Sequence, residues 1–297
     1  MIETSIKKLR DPFILVDNGI YYAYGTGCNG NDWDNTKYTC YKNTDGRLDG
    51  EWTKLETSLY ETPKNAVKNF WAPEVHKYNG QFYMFATYYS SLTGHRGVTV
   101  MRSQSPEGPF VEISDGHITP DCWDCIDGTL YVDGNGEPWM VFVHEWTSTD
   151  DRIGRMDVAK LSADLTHFVS EPIELFRADA PEWANGQRVT DGCFMYTAND
   201  NKLLMIWSNF CGDGYCVGIA ESENGKVDGK WTQSETLLYK RGMFSEFDGG
   251  HGMIFTDTDN TKYLCIHSPN NPKEGREEVP VLIRVVEENG TIVLKAD

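Results

Sequence analysis

Three aspartates stand at the start of strand-like segments that lie far apart in the chain. Asp11 occurs in RDPF, Asp127 in IDGTLY and Asp191 in TDGCFMY, and a short apolar run follows each of them. A carboxylate that enters an apolar core is costly unless it is paired or has a function. Such carboxylates can act as acid and base in glycoside hydrolysis, can bind Ca²⁺ through their oxygens, or can cap turns by accepting backbone N–H bonds.

The segments that carry these aspartates have the composition of an all-β chain. The 297 residues include 28 glycines, and Gly, Asp and Asn separate short runs that are rich in Val, Ile, Tyr, Phe and Trp. β-branched and aromatic residues favour strands, whereas Gly, Asp and Asn favour tight turns. The sequence therefore predicts short strands joined by turns.

Five segments of the chain share one plan, in which a hairpin of two apolar strands is followed by two further strands. The first strands begin about 60 residues apart, at Asp11, Ala72, Asp127, Asp191 and His251. A repeat of this length with four antiparallel strands is typical of a β-propeller blade. The sequence predicts an all-β five-bladed β-propeller that forms a single domain over residues 1–297. Because the strands of each blade are contiguous, we expect no strand exchange between the first and last blades.

A propeller would bring the distant aspartates together, because the innermost strand of every blade lines the central channel. Asp11, Asp127, Asp191 and His251 are then expected around one funnel. Opposite walls of the funnel suit an inverting glycosidase, whose two carboxyl groups stand roughly 6.5–9.5 Å apart. A third carboxylate would keep the acid protonated near neutral pH. A metal site of the acids and His251, and purely structural capping, are the two alternatives.

Five motifs follow one another along the chain: RDPF, FWAPEVH, IDGTLYVDGNGEPWMVF, TDGCFMY, and DGGHGMIF with HSPN. In this order they resemble glycoside hydrolase family 43, the five-bladed propeller glycosidases, and the resemblance covers essentially the whole chain. It implies inversion of configuration and an activity among the α-L-arabinofuranosidases, β-xylosidases, arabinanases and galactofuranosidases or galactanases.

The resemblance also implies roles for the three aspartates. By position, Asp11 is the general base and Asp127 adjusts the pKa of the acid. Asp191 lies where the family has its general acid, which is usually Glu in a Glu-Gly-Pro setting, whereas Gly and Cys follow Asp191 here. Asp is one methylene shorter than Glu, so its carboxyl group is set back by about one C–C bond. Glu182, in DAPEWANGQ, is the alternative acid.

His251 resembles the axial histidine of the family, which helps to hold Ca²⁺ or another ion, and water, in the channel. The alternative is a histidine that is hydrogen-bonded in the core. We therefore expect no required cofactor, with a structural Ca²⁺ in the central channel as the ion that His251 would hold through water.

Sugar recognition needs aromatic faces and polar groups. Aromatic residues adjoin the first strands or lie in the loop NGNDWDNT, and two arginines flank the acids, either to hold a carboxylate ionised or as plain salt bridges. Two histidines end second strands, where they either reach the pocket or cap a blade. The predicted substrate-binding residues are Arg10, Phe13, Trp33, Trp71, His144, Arg188 and His267.

The sequence thus predicts an inverting, exo-acting glycoside hydrolase that releases terminal furanosyl or pentosyl residues from plant or microbial polysaccharides or oligosaccharides. α-L-Arabinofuranose is the expected sugar, with β-D-galactofuranose and β-D-xylose as alternatives. Because the usual Glu is missing, a catalytically degenerate propeller that binds carbohydrate or protein is the competing hypothesis.

Charge and hydropathy indicate which partners to expect. A net charge of −18 repels phosphate backbones, which argues against nucleic acid. No apolar stretch approaches the 18 residues that a membrane span needs. We expect a monomer whose partner is an oligosaccharide or polysaccharide. The first residues lack the pattern of a signal peptide, so the sequence predicts a cytoplasmic location, or a periplasmic or secreted one if a signal was removed.

Overall fold

A computed structural model describes residues 1–27, 33–273 and 275–296. In these residues, 21 strands form five separate antiparallel sheets, and the only helical element is one 3₁₀ turn at Glu182–Ala184. No helix in this part of the chain is long and apolar enough to cross a bilayer.

Each sheet is one blade, and four strands follow one another across it in sequence order. Blade I contains β2 (Arg10–Asp17), β3 (Ile20–Thr26), β4 (Tyr38–Asn43) and β5 (Thr53–Lys54). Blade II contains β6 (Ala66–Tyr78), β7 (Gln81–Ser90), β8 (Arg96–Ser103) and β9 (Val111–Glu112). Blade III contains β10 (Cys125–Val132), β11 (Pro138–His144), β12 (Arg155–Lys160) and β13 (Ile173–Arg177). Blade IV contains β14 (Asp191–Thr197), β15 (Leu203–Cys211), β16 (Gly214–Ser222) and β17 (Trp231–Gln233). Blade V contains β18 (Gly250–Thr256), β19 (Lys262–Ser268), β20 (Val279–Glu288) and β21 (Thr291–Lys295).

The first strand of every blade is the innermost one. β2 contacts β6, β6 contacts β10, β10 contacts β14, β14 contacts β18, and β18 returns to β2. This closed ring confirms the predicted five-bladed β-propeller with four antiparallel strands per blade.

Closure of the ring differs from the prediction that no strand is exchanged between the first and last blades. A two-residue strand, β1 (Ile2–Glu3), precedes blade I and pairs with β20 of blade V through Ile2–Leu282 and Glu3–Val281. The backbone N–H of Leu9 also donates to the carbonyl of Glu278 at 3.0 Å. Two residues are too short to show the alternation that identifies a strand in sequence, so the added strand could not be predicted.

Packing within the blades follows the repeated sequence. Trp52 and Trp231 occupy equivalent buried places in blades I and IV, and each indole N–H donates to the carbonyl four residues earlier, at 3.1 Å to Leu48 and 3.0 Å to Val227. A buried Trp needs such a partner for its one donor. These two tryptophans therefore stabilise the outer part of their blades and are not available to a ligand.

Candidate active site

A β-bulge interrupts the innermost strand of every blade and re-aims its side chains. At each bulge one residue has left-handed backbone, with φ between 44° and 55°. A non-glycine residue in this region is strained, and such strain is concentrated at functional sites. The five bulge residues are Asp11, Ala72, Asp127, Gly192 and His251.

Blade IV departs by one residue from the predicted alignment. Its bulge residue is Gly192, so Asp191 is equivalent to the residue before the bulge in the other blades. A Cβ atom at Gly192 would stand 2.7 Å from Cγ of His251 and 2.8 Å from its Cα. The next blade therefore allows only glycine at this bulge, and the acid of blade IV precedes it.

The bulges are tied to one another by hydrogen bonds between blades. In four cases the bulge N–H donates to a side chain on the second strand of the preceding blade. The pairs are Ala72 to Thr26 Oγ1 at 2.8 Å, Asp127 to Thr87 Oγ1 at 3.2 Å, His251 to Ser208 Oγ at 2.8 Å and Asp11 to His267 Nδ1 at 3.3 Å.

The fifth bulge N–H, that of Gly192, has a different acceptor. The equivalent second-strand residue of blade III is Val143, which pairs with Ile126 just before the bulge and has no polar atom. Gly192 donates instead to Oδ2 of Asp127 at 2.9 Å. The Asp127 carboxyl group thus takes the acceptor role that a second-strand side chain has at the other four bulges.

The bulges open into a central pocket with a volume of about 330 Å³. All three predicted aspartates line it, together with His251 and the predicted substrate-binding residues Arg10, Trp33 and Trp71. Residues separated by more than 200 positions therefore meet in one cavity, as the repeat predicted. The remaining lining residues are Thr26, Ile126, Glu145, Trp146, Val189, Phe210, Tyr215, Asn270 and Asn271.

Asp11 is surrounded by groups that favour its ionised form. Burial raises the pKa of its carboxyl group, but His251, Arg10 and His267, together with a hydrogen bond from Thr26, outweigh burial and lower the pKa to about 2. The hydroxyl of Thr26 donates to Oδ2 at 2.5 Å, and Nδ1 of His251 lies 3.3 Å from Oδ1. Asp11 is therefore a carboxylate at any pH at which a general base would act.

Asp127 and Asp191, in contrast to Asp11, are surrounded by groups that favour the neutral, protonated form. Burial, followed by the charge of Asp11, raises the pKa of Asp127 well above its ordinary value. Burial, followed by Asp127, raises the pKa of Asp191 to about 7. Two neighbouring carboxyl groups that share a buried site titrate as a pair, and one of them retains a proton near neutral pH. The pocket thus combines an ionised carboxylate with a proton donor.

Tyr215 contacts the predicted acid directly, although sequence reasoning did not identify it. Its hydroxyl donates to Oδ2 of Asp191 at 2.9 Å, and its ring stacks on His267 with centroids 5.7 Å apart. Tyr215 belongs to the third strand of blade IV, GYCVGIAES, which is mostly apolar and buried, so nothing in its sequence marks Tyr215 as a pocket residue. Asn270 is a second pocket residue that was not predicted. It is the last residue of the motif HSPN, which is the signal that could have identified it.

An aromatic wall borders one side of the pocket. Trp33 and Trp71 meet edge to face with centroids 6.0 Å apart, and the indole N–H of Trp71 donates to the carbonyl of Trp33 at 3.0 Å. The guanidinium groups of Arg10 and Arg96 lie over these rings, 4.7 Å and 5.6 Å from the centroids. Residues 28–32, which complete the predicted loop before Trp33, lie outside the described residues.

Three predicted substrate-binding residues are buried away from the cavity. Phe13 packs between His76 and Phe194 in the core, because the bulge turns the next side chains of β2 away from the channel. His144 stacks on Trp123 at 4.0 Å. His267 is fully buried behind Asp11, where its Nδ1 accepts the Asp11 N–H. The prediction of direct sugar contact is corrected for these three residues.

Arg188 and Glu182 also lie outside the pocket. Arg188 is exposed, and its backbone carbonyl accepts a bond from Gly154 at 2.8 Å, whereas the next residue, Val189, lines the cavity. Glu182 is the exposed first residue of the 3₁₀ turn. A carboxyl group that faces solvent outside the cavity cannot protonate a leaving group inside it, so Glu182 is a poor alternative to Asp191.

His251 faces carboxylates rather than a ready-made metal site. Its Nδ1 lies 3.3 Å from Asp11 Oδ1 and 3.7 Å from Asp127 Oδ2. Among the described residues, no group of three or more His, Cys, Asp or Glu side chains could hold a metal ion, and Ca²⁺ takes six to eight oxygen ligands. These residues do not fit a directly coordinated Ca²⁺, and an ion held through water remains a prediction.

Comparison with known proteins agrees with this geometry. The sequence model of glycosyl hydrolases family 43 matches residues 4–291. The chain belongs to this family. As a member of family 43, it is similar over its whole length to the crystal structure of an endo-arabinase from Bacteroides thetaiotaomicron VPI-5482. The two chains are 35% identical, the match covers 98% of each, and the TM-score is 0.83.

Two curated relatives of this family 43 member are more distant. An extracellular exo-α-(1→5)-L-arabinofuranosidase of Cellvibrio japonicus is 24% identical over 56% of this chain and 47% of its own length. An extracellular endo-α-(1→5)-L-arabinanase of Bacillus subtilis is 27% identical over 47% of this chain and 44% of its own. The matched segment therefore spans about half the length of these two relatives.

Proposed function

We propose that this family 43 chain hydrolyses α-L-arabinofuranosyl linkages with inversion, using Asp11 as general base and Asp191 as general acid. The observation that carries the proposal is the opposite protonation of two carboxyl groups in one pocket. The pKa of Asp11 is about 2 and that of Asp191 is about 7. An enzyme that runs acid and base chemistry together needs such a pair.

In the proposed reaction, the Asp11 carboxylate takes a proton from water as the water oxygen attacks the anomeric carbon. Asp191 gives its proton to the glycosidic oxygen as the bond to the anomeric carbon breaks. The products are a sugar of inverted configuration and an alcohol, with Asp11 protonated and Asp191 ionised. Exchange of one proton with water restores both groups.

Asp127 and Tyr215 support the acid in this proposal. Asp127 raises the pKa of Asp191 through its negative charge, whereas the hydrogen bond from Tyr215 lowers it. The balance leaves Asp191 protonated up to about neutral pH, where a general acid is most useful. Asp127 therefore adjusts the pKa and has no need to touch the reacting atoms.

Arabinofuranose is the proposed sugar because the three similar proteins named above all act on arabinose-containing substrates by their names. β-D-Galactofuranose and β-D-xylose remain alternative substrates. A cavity of about 330 Å³ is at the small end of the roughly 300–1,000 Å³ range of ligand sites. A small pocket favours a terminal sugar, which supports exo action.

Endo action on arabinan is the second candidate, and the Bacteroides endo-arabinase supports it through 35% identity over the whole chain. The products formed from linear α-1,5-arabinan distinguish the two candidates. An exo enzyme releases one short product from the first turnovers and lowers the viscosity slowly. An endo enzyme produces a ladder of oligosaccharides and lowers the viscosity at once.

The catalytic roles can be tested with Asp11→Asn and Asp191→Asn. Loss of the base is expected to lower kcat by roughly 10²–10⁴-fold on every substrate. Loss of the acid should be severe on arabinan but much smaller on 4-nitrophenyl α-L-arabinofuranoside, whose leaving group needs little protonation. Proton NMR of the first product formed checks inversion. Sugar binding without turnover by the wild type would favour the carbohydrate-binding alternative.

We also propose that the protein acts outside the cytoplasm on an oligosaccharide or polysaccharide. Two relatives are named as extracellular enzymes, and nothing in the comparisons supports the predicted cytoplasmic location. Fractionation of the source cells, with activity measured in each fraction, checks the compartment.

A further inference from the structure

Glu145 is a pocket residue whose position is fixed by its backbone. It follows the last residue of β11, its N–H donates to the carbonyl of Asp124 at 2.8 Å, and its carbonyl accepts from Ser148 at 3.1 Å. Its side chain is 12% exposed and lines the central cavity. These two backbone hydrogen bonds thus hold Glu145, and with it the side-chain carboxyl group, at the wall of the pocket.

Arg96 of blade II holds one oxygen of this carboxyl group. Its Nε lies 2.5 Å from Oε2 of Glu145, and its Nη2 donates to Thr147 at 3.1 Å and lies 3.4 Å from Asp124. The same guanidinium lies over the ring of Trp71. Arg96 therefore joins the carboxyl group to the aromatic wall and leaves it little rotational freedom.

The second oxygen of Glu145 has no such bond. In the part of the chain that the structure describes, Oε2 is bonded to Arg96, whereas Oε1 accepts no hydrogen bond. Because Oε1 is not among the fully buried polar atoms that lack a partner, it is open to the cavity, where water or a ligand can donate a hydrogen bond to it. Sugar hydroxyl groups are suitable donors, because a bond from a hydroxyl to a carboxylate is short and strong.

The pocket already contains three aspartates, so a fourth carboxyl group at its wall adds to the negative charge there. The charge of Glu145 adds to the raised pKa of Asp127 and of Asp191. A purely structural partner for Arg96 is already available in Asp124, so the fold does not require a second carboxylate at the pocket wall.

We propose that Glu145, held by Arg96, is a substrate-binding residue whose Oε1 accepts hydrogen bonds from hydroxyl groups of the sugar in the pocket. The proposal rests on the proposed function, because it assigns a contact to the same sugar site. It makes Glu145 a determinant of which hydroxyl pattern the pocket accepts, distinct from the acid and the base.

The test compares Glu145→Gln with Glu171→Gln, which removes the same charge from an exposed glutamate of the same blade outside the pocket. Gln keeps the shape of Glu and one acceptor for Arg96, so the variant should fold, and its urea unfolding checks that it does. The substrates are 4-nitrophenyl α-L-arabinofuranoside and its 2-deoxy, 3-deoxy and 5-deoxy analogues. Calorimetry with methyl α-L-arabinofuranoside, in an Asp11→Asn background, measures binding without turnover.

Glu145→Gln is expected to raise KM and Kd by roughly tenfold or more, because a charge-assisted hydrogen bond is lost. The wild type should discriminate against one deoxy analogue, and the variant should lose that discrimination. Glu171→Gln should leave both quantities unchanged.

Two results would overturn the assignment. If Glu145→Gln weakens all four glycosides equally, the residue only maintains the pocket. If it spares KM and lowers kcat on arabinan but not on the aryl glycoside, Glu145 is a proton donor. Wild-type binding without turnover would contradict the hydrolase proposal alone, and wild type that neither binds nor cleaves would contradict both.

Discussion

The hydroxyl of Tyr215 donates a hydrogen bond to Oδ2 of Asp191 at 2.9 Å, in the pocket that His251 and Asp11 also line. This bond stabilises the ionised form of Asp191 against burial and the charge of Asp127, both of which favour the neutral form. The pKa of the proposed acid is thus a balance in which burial, Asp127 and Glu145 favour the neutral form, whereas His251 and Tyr215 favour the ionised form.

Removal of the Tyr215 hydroxyl should make Asp191 a weaker acid. In Tyr215→Phe the carboxylate loses a donor that lowers its pKa. The alkaline limb of the kcat/KM profile is expected to move to higher pH by about half to one unit, since one hydrogen bond contributes about 1 kcal/mol. KM should change little. Tyr196→Phe, which removes a hydroxyl bonded to Glu287, is the control and should leave the profile in place.

The wild-type pH profile should fall on its alkaline side near pH 7. Activity needs ionised Asp11, with a pKa of about 2, and protonated Asp191, with a pKa of about 7. Above pH 7, kcat/KM on arabinan should decrease by about tenfold per pH unit as the acid loses its proton. A profile that stays level to pH 9 would show that Asp191 is not the acid.

Val143→Thr should move the alkaline limb of the kcat/KM profile to lower pH, which is the opposite of the shift expected for Tyr215→Phe. A hydroxyl at position 143 can accept the Gly192 N–H, as Thr26, Thr87 and Ser208 do for the other bulges. Asp127 then loses a hydrogen bond that favours its ionised form, and its weaker charge lowers the pKa of Asp191.

The matched control for this variant is Val141→Thr. Val141 is equally buried on the same strand but pairs with Thr129, beyond the bulge. Both variants bury a new hydroxyl and should lose a similar free energy of unfolding, about 1–3 kcal/mol. Only the substitution at position 143 should move the pH profile, and equal profiles for the two would contradict the role of the Gly192–Asp127 bond.

Gly192→Ala should damage both stability and activity. The added Cβ would stand 2.7 Å from Cγ of His251, and the backbone φ of 50° at residue 192 is strained for alanine. We expect a loss of about 2–4 kcal/mol in the free energy of unfolding. Gly186→Ala separates strain from clash, because Gly186 has φ of 75° with no atom within 4 Å of an added Cβ. That variant should lose only about 1–2 kcal/mol and keep its activity.

Asp191→Asn should stabilise the fold at alkaline pH while it removes the acid. The folded-state pKa of Asp191 is about 7, compared with 3.8 for the free group. The contribution of Asp191 to the free energy of unfolding of the wild type is fully present below pH 3.8 and is lost as the pH rises through 7. The variant should therefore gain about 1–3 kcal/mol over the wild type at pH 8 but little at pH 4. Urea unfolding at both values checks this, and an equal difference at both would argue against a raised pKa.

The architecture of this protein and the approximate location of its chemistry could be predicted from the amino-acid sequence alone. Alternating apolar strands and Gly-, Asn- and Asp-containing turns are local signals, and a repeat of about 60 residues multiplies them five times. The ring geometry then follows, and it brings Asp11, Asp127 and His251 to equivalent bulges. These features could be predicted because each depends on neighbours within one repeat.

Which side chains face the pocket, and which carboxyl group keeps a proton, depends on how the blades pack against one another. The shift of Asp191 to the position before its bulge depends on His251 in the next blade, and the orientation of the Asp127 carboxyl group depends on Gly192 across the interface between blades III and IV. The burial of Phe13, His144 and His267, and the exposure of Glu145 and Tyr215 to the cavity, depend likewise on packing between blades. Contacts between residues some 50 or more positions apart leave no periodic signal in a single sequence, so their distances had to come from the fold.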